Sequence, residues 1–173
     1  SVLHFHLGRI PDIIKQKSWE WYLLNKILLM ADKLVVMNRP TENALKNLGF
    51  DNVVYLPNPL GMDVYNSITN TNDFYERIPR TLLYVGHIYK SKGMIELVEG
   101  CKNIPNITLR IIGNGLSDVK EEMKKIASTV NNGCWLNFVG ELSHEEVIKE
   151  FQKADIFVFP SHSEGFPYVI LEA

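Results

Sequence analysis

Hydrophobic positions along the chain follow two periods. Short runs rich in β-branched residues, such as 33–37 and 108–112, are typical of buried strands, whereas longer stretches with an apolar residue every third or fourth position are typical of amphipathic helices. Because the two kinds of segment alternate, the pattern predicts βα units around a mostly parallel sheet. The alternation occurs in two blocks, which predicts an α/β protein with two doubly wound parts.

The first block covers residues 1–57 and a polar segment follows it. Thr41 is expected to begin a helix, because Pro40 stands immediately before it. In residues 58–80, asparagine, threonine, glycine and proline replace the apolar periodicity, so we expect a linker between two domains. The predicted strands of this block are 2–6, 33–37 and 52–56, and its predicted helices are 19–30 and 41–48.

The second block covers residues 81–173. Ser143, with Glu146 three residues later, is expected to cap a helix through a capping box. The chain begins in a strand pattern and ends in a helix pattern without a stop signal, so both blocks are expected to be incomplete, as in a fragment. The predicted strands are 81–86, 108–112, 136–139 and 156–159, and the predicted helices are 93–101, 117–130, 143–153 and a last one after Pro167.

The composition limits the partners and compartments that we expect. The chain of 173 residues is 46% hydrophobic, and its 18 basic and 20 acidic residues include no basic run of the kind that binds nucleic acid. Cys101 and Cys134 lack CxxC spacing, which argues against a disulfide framework or a zinc site. On this cysteine usage we expect a cytoplasmic protein. No apolar stretch is long enough for a membrane span, and the N-terminus does not read as a signal peptide.

The most informative segment follows the last predicted strand and reads PSHSEGFP. Ligands of open α/β sheets lie outside the carboxyl ends of the strands, and the helix that follows favours an anion at its N-terminus. Gly165 permits a close backbone approach, and Pro167 suits the first helical position. Two carboxylates, Glu164 and Glu172, flank this anion site and match a diphosphate between two polyols, as in a nucleotide sugar. As isolated residues they would be solvated glutamates.

Two further loops follow predicted strands of the second block. Lys90 and Lys92 stand near the start of a helix, where a lysine suits phosphate, although an ordinary basic loop is the alternative. The triplet from Gly113 to Gly115 is typical of any tight turn, and we interpret it as room for a ligand.

Four motifs together resemble the group 1 (family four) retaining glycosyltransferases. They are VGHIYKSKG, LRIIGNG, LNFVGELSHEEV and FVFPSHSEGFPYVILEA. That family has the GT-B fold of two facing Rossmann-like domains, so the resemblance implies two such blocks, both incomplete. The resemblance runs from about residue 2 to residue 173 and is most specific in the second block. The first block looks like the end of the acceptor-side domain, and 81–173 like the nucleotide-sugar-binding domain.

The resemblance also implies roles for individual residues. Glu164, Lys92 and His6 are the expected catalytic residues: Glu164 would hold hydroxyls of the transferred sugar and Lys92 the diphosphate. Glu172 would hold the ribose. The other expected donor contacts are Gly86, His87, Lys90, Gly113, Asn114, Val139, Gly140, Leu142, Gly165, Phe166 and Pro167, of which Val139 to Leu142 would flank the base.

Three histidines bear on the expected site. The family usually has arginine where this chain has His87, which is only partly charged near neutral pH, so we hypothesise that Lys90 or protonated His87 compensates. His4 and His6 are expected to face opposite sides of their strand, with His6 toward the cleft. A structural role for His6 is an equal alternative.

The implied activity is transfer of a sugar from a UDP-, GDP- or ADP-sugar to a hydroxyl of a saccharide or lipid-linked saccharide, in polysaccharide biosynthesis. Transfer would proceed with retention and without a metal or other cofactor, which is an EC 2.4 activity. A nucleotide-sugar 2-epimerase and a donor-binding fragment without turnover are the rival interpretations. Trp19, Trp21 and Tyr22 near Lys15 and Lys17 would suit a peripheral membrane contact, although a buried helix is the competing interpretation.

Overall fold

The computed structural model describes residues 1–6, 8–59, 61, 80–162 and 164–173. These residues form two compact units: the first contains 1–6, 8–59 and 164–168, and the second contains 61, 80–162 and 169–173. Each unit is built around its own parallel sheet. The predicted α/β class is therefore confirmed, whereas most of the predicted linker lies outside the described residues.

The first unit has a sheet of three parallel strands in the order β1-β2-β3. Helices and strands share one apolar core, which includes Ile10, Leu28, Leu34 and Leu45. The predicted strands are confirmed to within one or two residues at each end. The elements are β1 (Val2–Phe5), α1 (Ile10–Gln16), α2 (Trp19–Leu29), β2 (Lys33–Val36), α3 (Arg39–Asn47) and β3 (Val53–Tyr55).

Helix α1 was not predicted from the sequence. It has only seven residues, which is about two turns, so the apolar period of a helix is hardly repeated. Pro11 lies in its first turn, where the missing N–H group leaves no hydrogen bond unmade. Ile10 and Ile13 are buried in the core and anchor the helix.

The predicted start of helix α3 at Thr41 is wrong, because the helix begins two residues earlier, at Arg39. Asn38 is the N-cap, and its Oδ1 atom accepts a hydrogen bond of 2.8 Å from the backbone N–H of Thr41. Pro40 lies inside the first turn, where proline is tolerated. Thr41 is thus a residue of the first turn rather than its cap.

The second unit has a sheet of four parallel strands in the order β6-β5-β4-β7. Its core is formed largely by side chains that are fully buried, among them Leu83, Tyr84, Leu109 and Ile111. No helix that the structure describes, in either unit, is long and apolar enough to cross a membrane. The elements are β4 (Thr81–Val85), α4 (Met94–Cys101), β5 (Thr108–Ile112), α5 (Ser117–Ala127), β6 (Leu136–Gly140), α6 (His144–Lys153), β7 (Ile156–Phe157) and α7 (Tyr168–Glu172), of which Tyr168 is counted with the first unit.

Helix α6 begins with the predicted capping box, which is confirmed. The Ser143 side chain accepts from the backbone of Glu146, and the Glu146 carboxylate accepts from the backbone N–H of Ser143 at 2.8 Å. The Ser143 hydroxyl also donates to this carboxylate at 2.7 Å. That bond, and after it the bond from the backbone N–H of Ser143, lowers the pKa of Glu146. The helix start is therefore held next to the carboxyl end of β6.

Further along helix α6, Glu150 forms an ion pair that connects the helix to the sheet. Nε and Nη2 of Arg110 on β5 donate to one oxygen of Glu150 at 3.0 and 2.6 Å, and Lys153 donates to the other at 3.0 Å. Burial raises the pKa of Glu150, but the bonds from Lys153 and Arg110 outweigh it and the net pKa is lowered. The network thus fixes the position of helix α6 on strand β5.

Candidate functional site

In the second unit, the carboxyl ends of β4, β5 and β6 meet at one edge of the sheet. Backbone hydrogen bonds continue past the strands, from Gly86 N–H to Ile112 O at 3.0 Å and from Gly113 N–H to Gly140 O at 2.8 Å. A cavity of about 310 Å³ lies elsewhere, beside Arg110 and Glu150. The cavity at this edge measures about 210 Å³ and is lined by Val85, Gly86, His87, Ile112, Gly113, Asn114, Glu141, Leu142 and Val147.

The size and lining of this edge cavity suit part of a ligand. Drug-sized molecules fill pockets of about 300–1,000 Å³, so the 210 Å³ cavity suits a single ring system. Apolar side chains from Val85, Ile112 and Val147 would contact ring faces, while the carboxylate of Glu141 would accept hydrogen bonds from ring edges. Glu141 lies within the loop 139–142 that was predicted to flank the base, although it was not named as a contact, and Val147 was not predicted as a site residue.

Gly113 is required where β4 and β5 end. Its φ angle of +126° lies in the region that L side chains rarely adopt, and a Cβ atom there would overlap the carbonyl oxygen of Gly86. Gly113 therefore allows the backbones of the two loops to pack closely at the cavity. The interpretation of the triplet as room for a ligand stays a prediction. Asn114 turns its Oδ1 atom to Lys120 Nζ at 2.8 Å.

His87 is held in place by aromatic side chains. The hydroxyl of Tyr84, a fully buried residue of β4, donates to the His87 carbonyl oxygen at 2.9 Å. The exposed imidazole of His87 lies parallel to the Tyr89 ring, with 5.6 Å between centroids. The sequence offered no signal for either contact beyond the spacing of the aromatic residues.

The predicted phosphate lysines lie in a 3₁₀ turn, Lys90–Lys92. Nζ of Lys90 lies 2.8 Å from a carboxylate oxygen of Glu122 on helix α5, and this hydrogen bond raises the pKa of Lys90. Lys90 is thus fully charged at neutral pH and engaged with another helix. Lys92 ends the turn, and Gly93 follows with a φ angle of +68°.

The lysine turn packs against the loop that follows β7. A Cβ atom at Gly93 would overlap the carbonyl oxygen of Pro160, and the backbone N–H of His162 donates to Ser91 O at 3.2 Å. Nε2 of His162 also lies 3.3 Å from a carboxylate oxygen of Glu96. The loop of Lys92 and the loop that leads toward Glu164 are therefore joined within the second unit.

Residues 164–167 lie in the first unit, at the carboxyl end of β1. A Cβ atom at Gly8 would overlap the carbonyl group of Glu164, and one at Gly165 would overlap the carbonyl oxygen of His6. This segment thus packs backbone against backbone, which explains both glycines. The structure brings the predicted residues His6, Glu164 and Gly165 together.

Two asparagine side chains hold the same segment. Nδ2 of Asn38 donates to the carbonyl oxygen of Gly165 at 3.3 Å, and Nδ2 of Asn58 donates to that of Phe166 at 2.9 Å. Neither asparagine was predicted as a site residue, because they stand 127 and 108 positions away along the chain.

The expected orientation of His4 and His6 is wrong. Their ring centroids lie only 4.4 Å apart, so both side chains are on one side. Residues two apart on a strand point to the same face, since the side-chain period is two. His4 therefore accompanies His6 at this edge of the first unit.

Two more of the predicted donor contacts, Glu172 and Val139, belong to the second unit. The Glu172 side chain, 19% exposed, lies in the second unit with one oxygen 3.9 Å from Nδ1 of His144, the first residue of helix α6. Val139 packs against the small core around Leu83 and is not among the residues that line the edge cavity. Gly140, which follows it, has a φ angle of +93° and open space around it.

Comparisons with known proteins agree with this geometry. Residues 72–173, more than half of the chain, match the family model described as glycosyl transferases group 1. The matched region contains the carboxyl ends of β4, β5 and β6 and the segment 164–167.

Several curated relatives resemble the chain over most of its length. An uncharacterized glycosyltransferase of Haemophilus influenzae is 27% identical over 92% of this chain and 48% of its own length. The capsular polysaccharide biosynthesis glycosyltransferase CapM of Staphylococcus aureus is 29% identical over 95% of this chain and 47% of its own. A Mycobacterium tuberculosis glycogen synthase is 34% identical over 58% of this chain and 26% of its own. The chain spans about half the length of such relatives, or less.

Solved structures share the fold. Anabaena HepE in complex with UDP has a TM-score of 0.74 at 17% identity, over 99% of this chain and 50% of its own. Sucrose-phosphate synthase from Thermosynechococcus elongatus has a TM-score of 0.71 at 24% identity, over 99% of this chain and 47% of its own. These likenesses confirm the GT-B type of fold. With the family match across the second unit, they lead to one conclusion: the chain belongs to the group 1 glycosyl transferases.

Proposed function

We propose that the protein transfers a glycosyl group from a nucleoside-diphosphate sugar to an acceptor hydroxyl, with retention at the anomeric carbon. In this reaction the bond between the anomeric carbon and the diphosphate oxygen breaks. A bond to the acceptor oxygen forms, and the acceptor proton is released. The observation that carries the proposal is the 210 Å³ cavity at the carboxyl edge of β4, β5 and β6, within the region that matches the family.

In this proposal, different loops of the chain bind different parts of the donor. The base would lie in the edge cavity near Leu142, and Glu172, largely buried, would accept hydrogen bonds from the ribose hydroxyls. Lys92 would face the diphosphate as a point charge. Glu164 would accept hydrogen bonds from hydroxyls of the transferred sugar, and His6 would lie beside that sugar.

Stabilisation of the leaving diphosphate is the main chemical task in this proposal. Negative charge builds up on the diphosphate as the glycosidic bond breaks, and preorganised cations and N–H groups stabilise it. Among the described residues, no three His, Cys, Asp or Glu side chains gather in a way that could hold a metal ion. In our proposal this task falls to Lys92, to backbone N–H groups and to the loop of His87, without a metal.

The missing family arginine leaves two candidates for added charge, Lys90 and protonated His87. Lys90 is bound to Glu122, so its charge is partly neutralised by a neighbour, whereas His87 is one of the residues that line the edge cavity. His87 is the better candidate on these contacts. If His87→Ala and Lys90→Ala each left donor binding and turnover unchanged, neither residue would have this role.

The names of similar proteins guide the choice of substrates. Structures of HepE contain UDP and UDP-glucose, so a UDP-sugar is the first donor to test, followed by GDP- and ADP-sugars. CapM and a Bacillus subtilis teichuronic acid biosynthesis glycosyltransferase are named for surface polysaccharides. A saccharide or lipid-linked saccharide is accordingly the acceptor that we propose.

A peripheral membrane contact is part of the proposal. Helix α2 exposes Trp19 and Tyr22 by 73% and 62%, and Nζ of Lys26 lies 4.5 Å from the centroid of the Tyr22 ring. Aromatic and cationic side chains on one helix face suit an anionic bilayer surface, and exposed Lys15 and Lys17 add charge. Sedimentation with anionic vesicles, compared with neutral vesicles and with a Trp19→Ser variant, tests this contact.

Product analysis distinguishes the proposed transfer from its rivals. The protein is incubated with each donor, with and without saccharide acceptors, and the products are identified by NMR. Acceptor-dependent sugar transfer with the donor's anomeric configuration kept is the expected result. Release of free nucleotide and an altered sugar from the donor alone would indicate an epimerase, and binding without any product would indicate a donor-binding fragment.

A further inference from the structure

The backbone of residues 164–167 is held from two separate elements of the first unit. Asn38 stands at the start of helix α3 and Asn58 follows strand β3, yet their side-chain amides donate to successive carbonyl groups, those of Gly165 and Phe166. The distances are 3.3 and 2.9 Å. No role in catalysis or binding follows for either asparagine from the site described above.

The first of these bonds determines where one N–H group points. A trans peptide is planar, and its C=O and N–H groups point in opposite directions. Because the Gly165 carbonyl is directed at Asn38, the N–H of Phe166, which belongs to the same peptide, is directed away from it. The next peptide leads into Pro167 and has no N–H group. Asn38 thereby sets the direction of the Phe166 N–H group.

The Asn38 amide is itself oriented by the helix. Its Oδ1 atom accepts from Thr41 N–H at 2.8 Å while its Nδ2 atom donates to Gly165 O. A flip of the amide would lose both hydrogen bonds, so the donor atom is fixed in place. A group on the cap of a helix is more rigid than one on a loop.

The close backbone contacts leave the segment little freedom. Gly8 against Glu164 and Gly165 against His6 allow approaches that any side chain would block. These contacts position the segment but do not orient its peptide planes, which rotate about φ and ψ. That orientation is supplied by the two asparagine amides.

We propose that Asn38 and Asn58 are positioning residues that hold segment 164–167 in the conformation that receives the donor sugar. This inference rests on the proposed function. Without either amide the segment would occupy other conformations as well. The apparent donor affinity would then fall in proportion to the fraction of molecules that remain in the conformation that binds donor. Once donor is bound, the competent conformation is selected, so the rate at saturation would change little.

The test uses neutral substitutions in the full chain. Asn38→Ser removes the amide and keeps a good N-cap for helix α3, and Asn58→Ser removes the second amide without affecting a helix. The matched control is Asn43→Ser, an exposed position of helix α3. Donor Kd by calorimetry, the donor KM and kcat, and the thermal midpoint are measured for all three.

We expect each of Asn38→Ser and Asn58→Ser to raise donor Kd and KM by about three- to tenfold, the range of one hydrogen bond, with kcat within about twofold of the control. Thermal midpoints should equal that of Asn43→Ser. Values of Kd equal to the control, or a loss confined to kcat, would overturn the inference. A lower midpoint with unchanged Kd would show a merely structural role and would overturn it too.

A second measurement separates this inference from the proposed function. Hydrogen–deuterium exchange of the 164–169 backbone without donor should be faster in both asparagine variants than in the control. If the wild-type protein binds no nucleotide sugar although exchange responds as expected, the proposed function fails while the positioning contact stands. If exchange does not change, the positioning role itself is refuted.

Discussion

Replacement of Gly113 by alanine should damage both the stability and the cavity of the second unit. The φ angle of +126° costs a non-glycine residue about 1–3 kcal/mol. Overlap of the new Cβ with the Gly86 carbonyl oxygen adds a forced backbone shift of about 1–3 kcal/mol. Together these effects predict a loss of about 2–6 kcal/mol in the free energy of unfolding.

Two other glycines serve as matched controls for this substitution. Gly140 has a comparable φ angle of +93°, but nothing lies within 4 Å of its added Cβ, so Gly140→Ala should cost only about 1–3 kcal/mol. Gly100 lies in helix α4 with open space around it, so Gly100→Ala should stabilise the protein by about 0.5–1 kcal/mol.

Urea denaturation of the three variants measures these free energies, and calorimetry measures donor binding. We expect Gly113→Ala to be the least stable and to lose at least tenfold in donor affinity, because Gly86 and Gly113 both line the edge cavity. If Gly113→Ala were no less stable than Gly140→Ala, the contact between the two glycine loops would carry no energy. The account of how the cavity is built would then be wrong.

Further predictions concern the charged groups of the second unit. Arg110→Met removes both hydrogen bonds that Arg110 donates to the mostly buried Glu150 and should cost about 1–3 kcal/mol of stability, less than the 3–5 kcal/mol of a fully buried pair because Arg110 is 29% exposed. Because the pKa of Glu150 is lowered in the folded protein, its carboxylate contributes to the free energy of unfolding above the ordinary glutamate pKa of about 4.3. This contribution is lost as the pH falls through the pKa of the folded state. Glu150→Gln should therefore flatten the acid side of the curve of stability against pH, measured by thermal denaturation. Lys92→Met should weaken donor binding in calorimetry by at least tenfold, whereas Lys90→Met, which removes a lysine bound to Glu122, should weaken it by less than threefold. Equal losses in the two lysine variants would contradict the separate roles.

Local sequence signals predicted most of the fold. The β-branched runs of 33–36 and 108–112 form strands as expected, and Ser143 with Glu146 marks the start of helix α6 correctly. Helix α3 begins two residues before the predicted start, because proline is accepted in the first turn of a helix and Pro40 therefore marks no boundary. The predicted orientation of His4 and His6 is wrong because residues two apart on a strand share a face.

Contacts between distant residues could not be predicted. Lys90 was a candidate phosphate ligand, and only the packing of helix α5 reveals its bond to Glu122. Asn38 and Asn58 meet the segment at 165 and 166 from positions far away in the chain, and no local pattern marks an amide as a partner for a carbonyl group. The candidate site was thus predictable where its residues belong to loops after strands.

The most direct test is a calorimetric titration of UDP-, GDP- and ADP-sugars into the wild-type protein and into its Lys92→Ala and Glu172→Ala variants. The account predicts saturable binding of one donor class by the wild-type protein and affinities at least tenfold weaker in both variants. Absence of binding for all three donor classes, or equal affinity in the wild-type protein and both variants, would contradict the claim that these loops hold a nucleotide sugar.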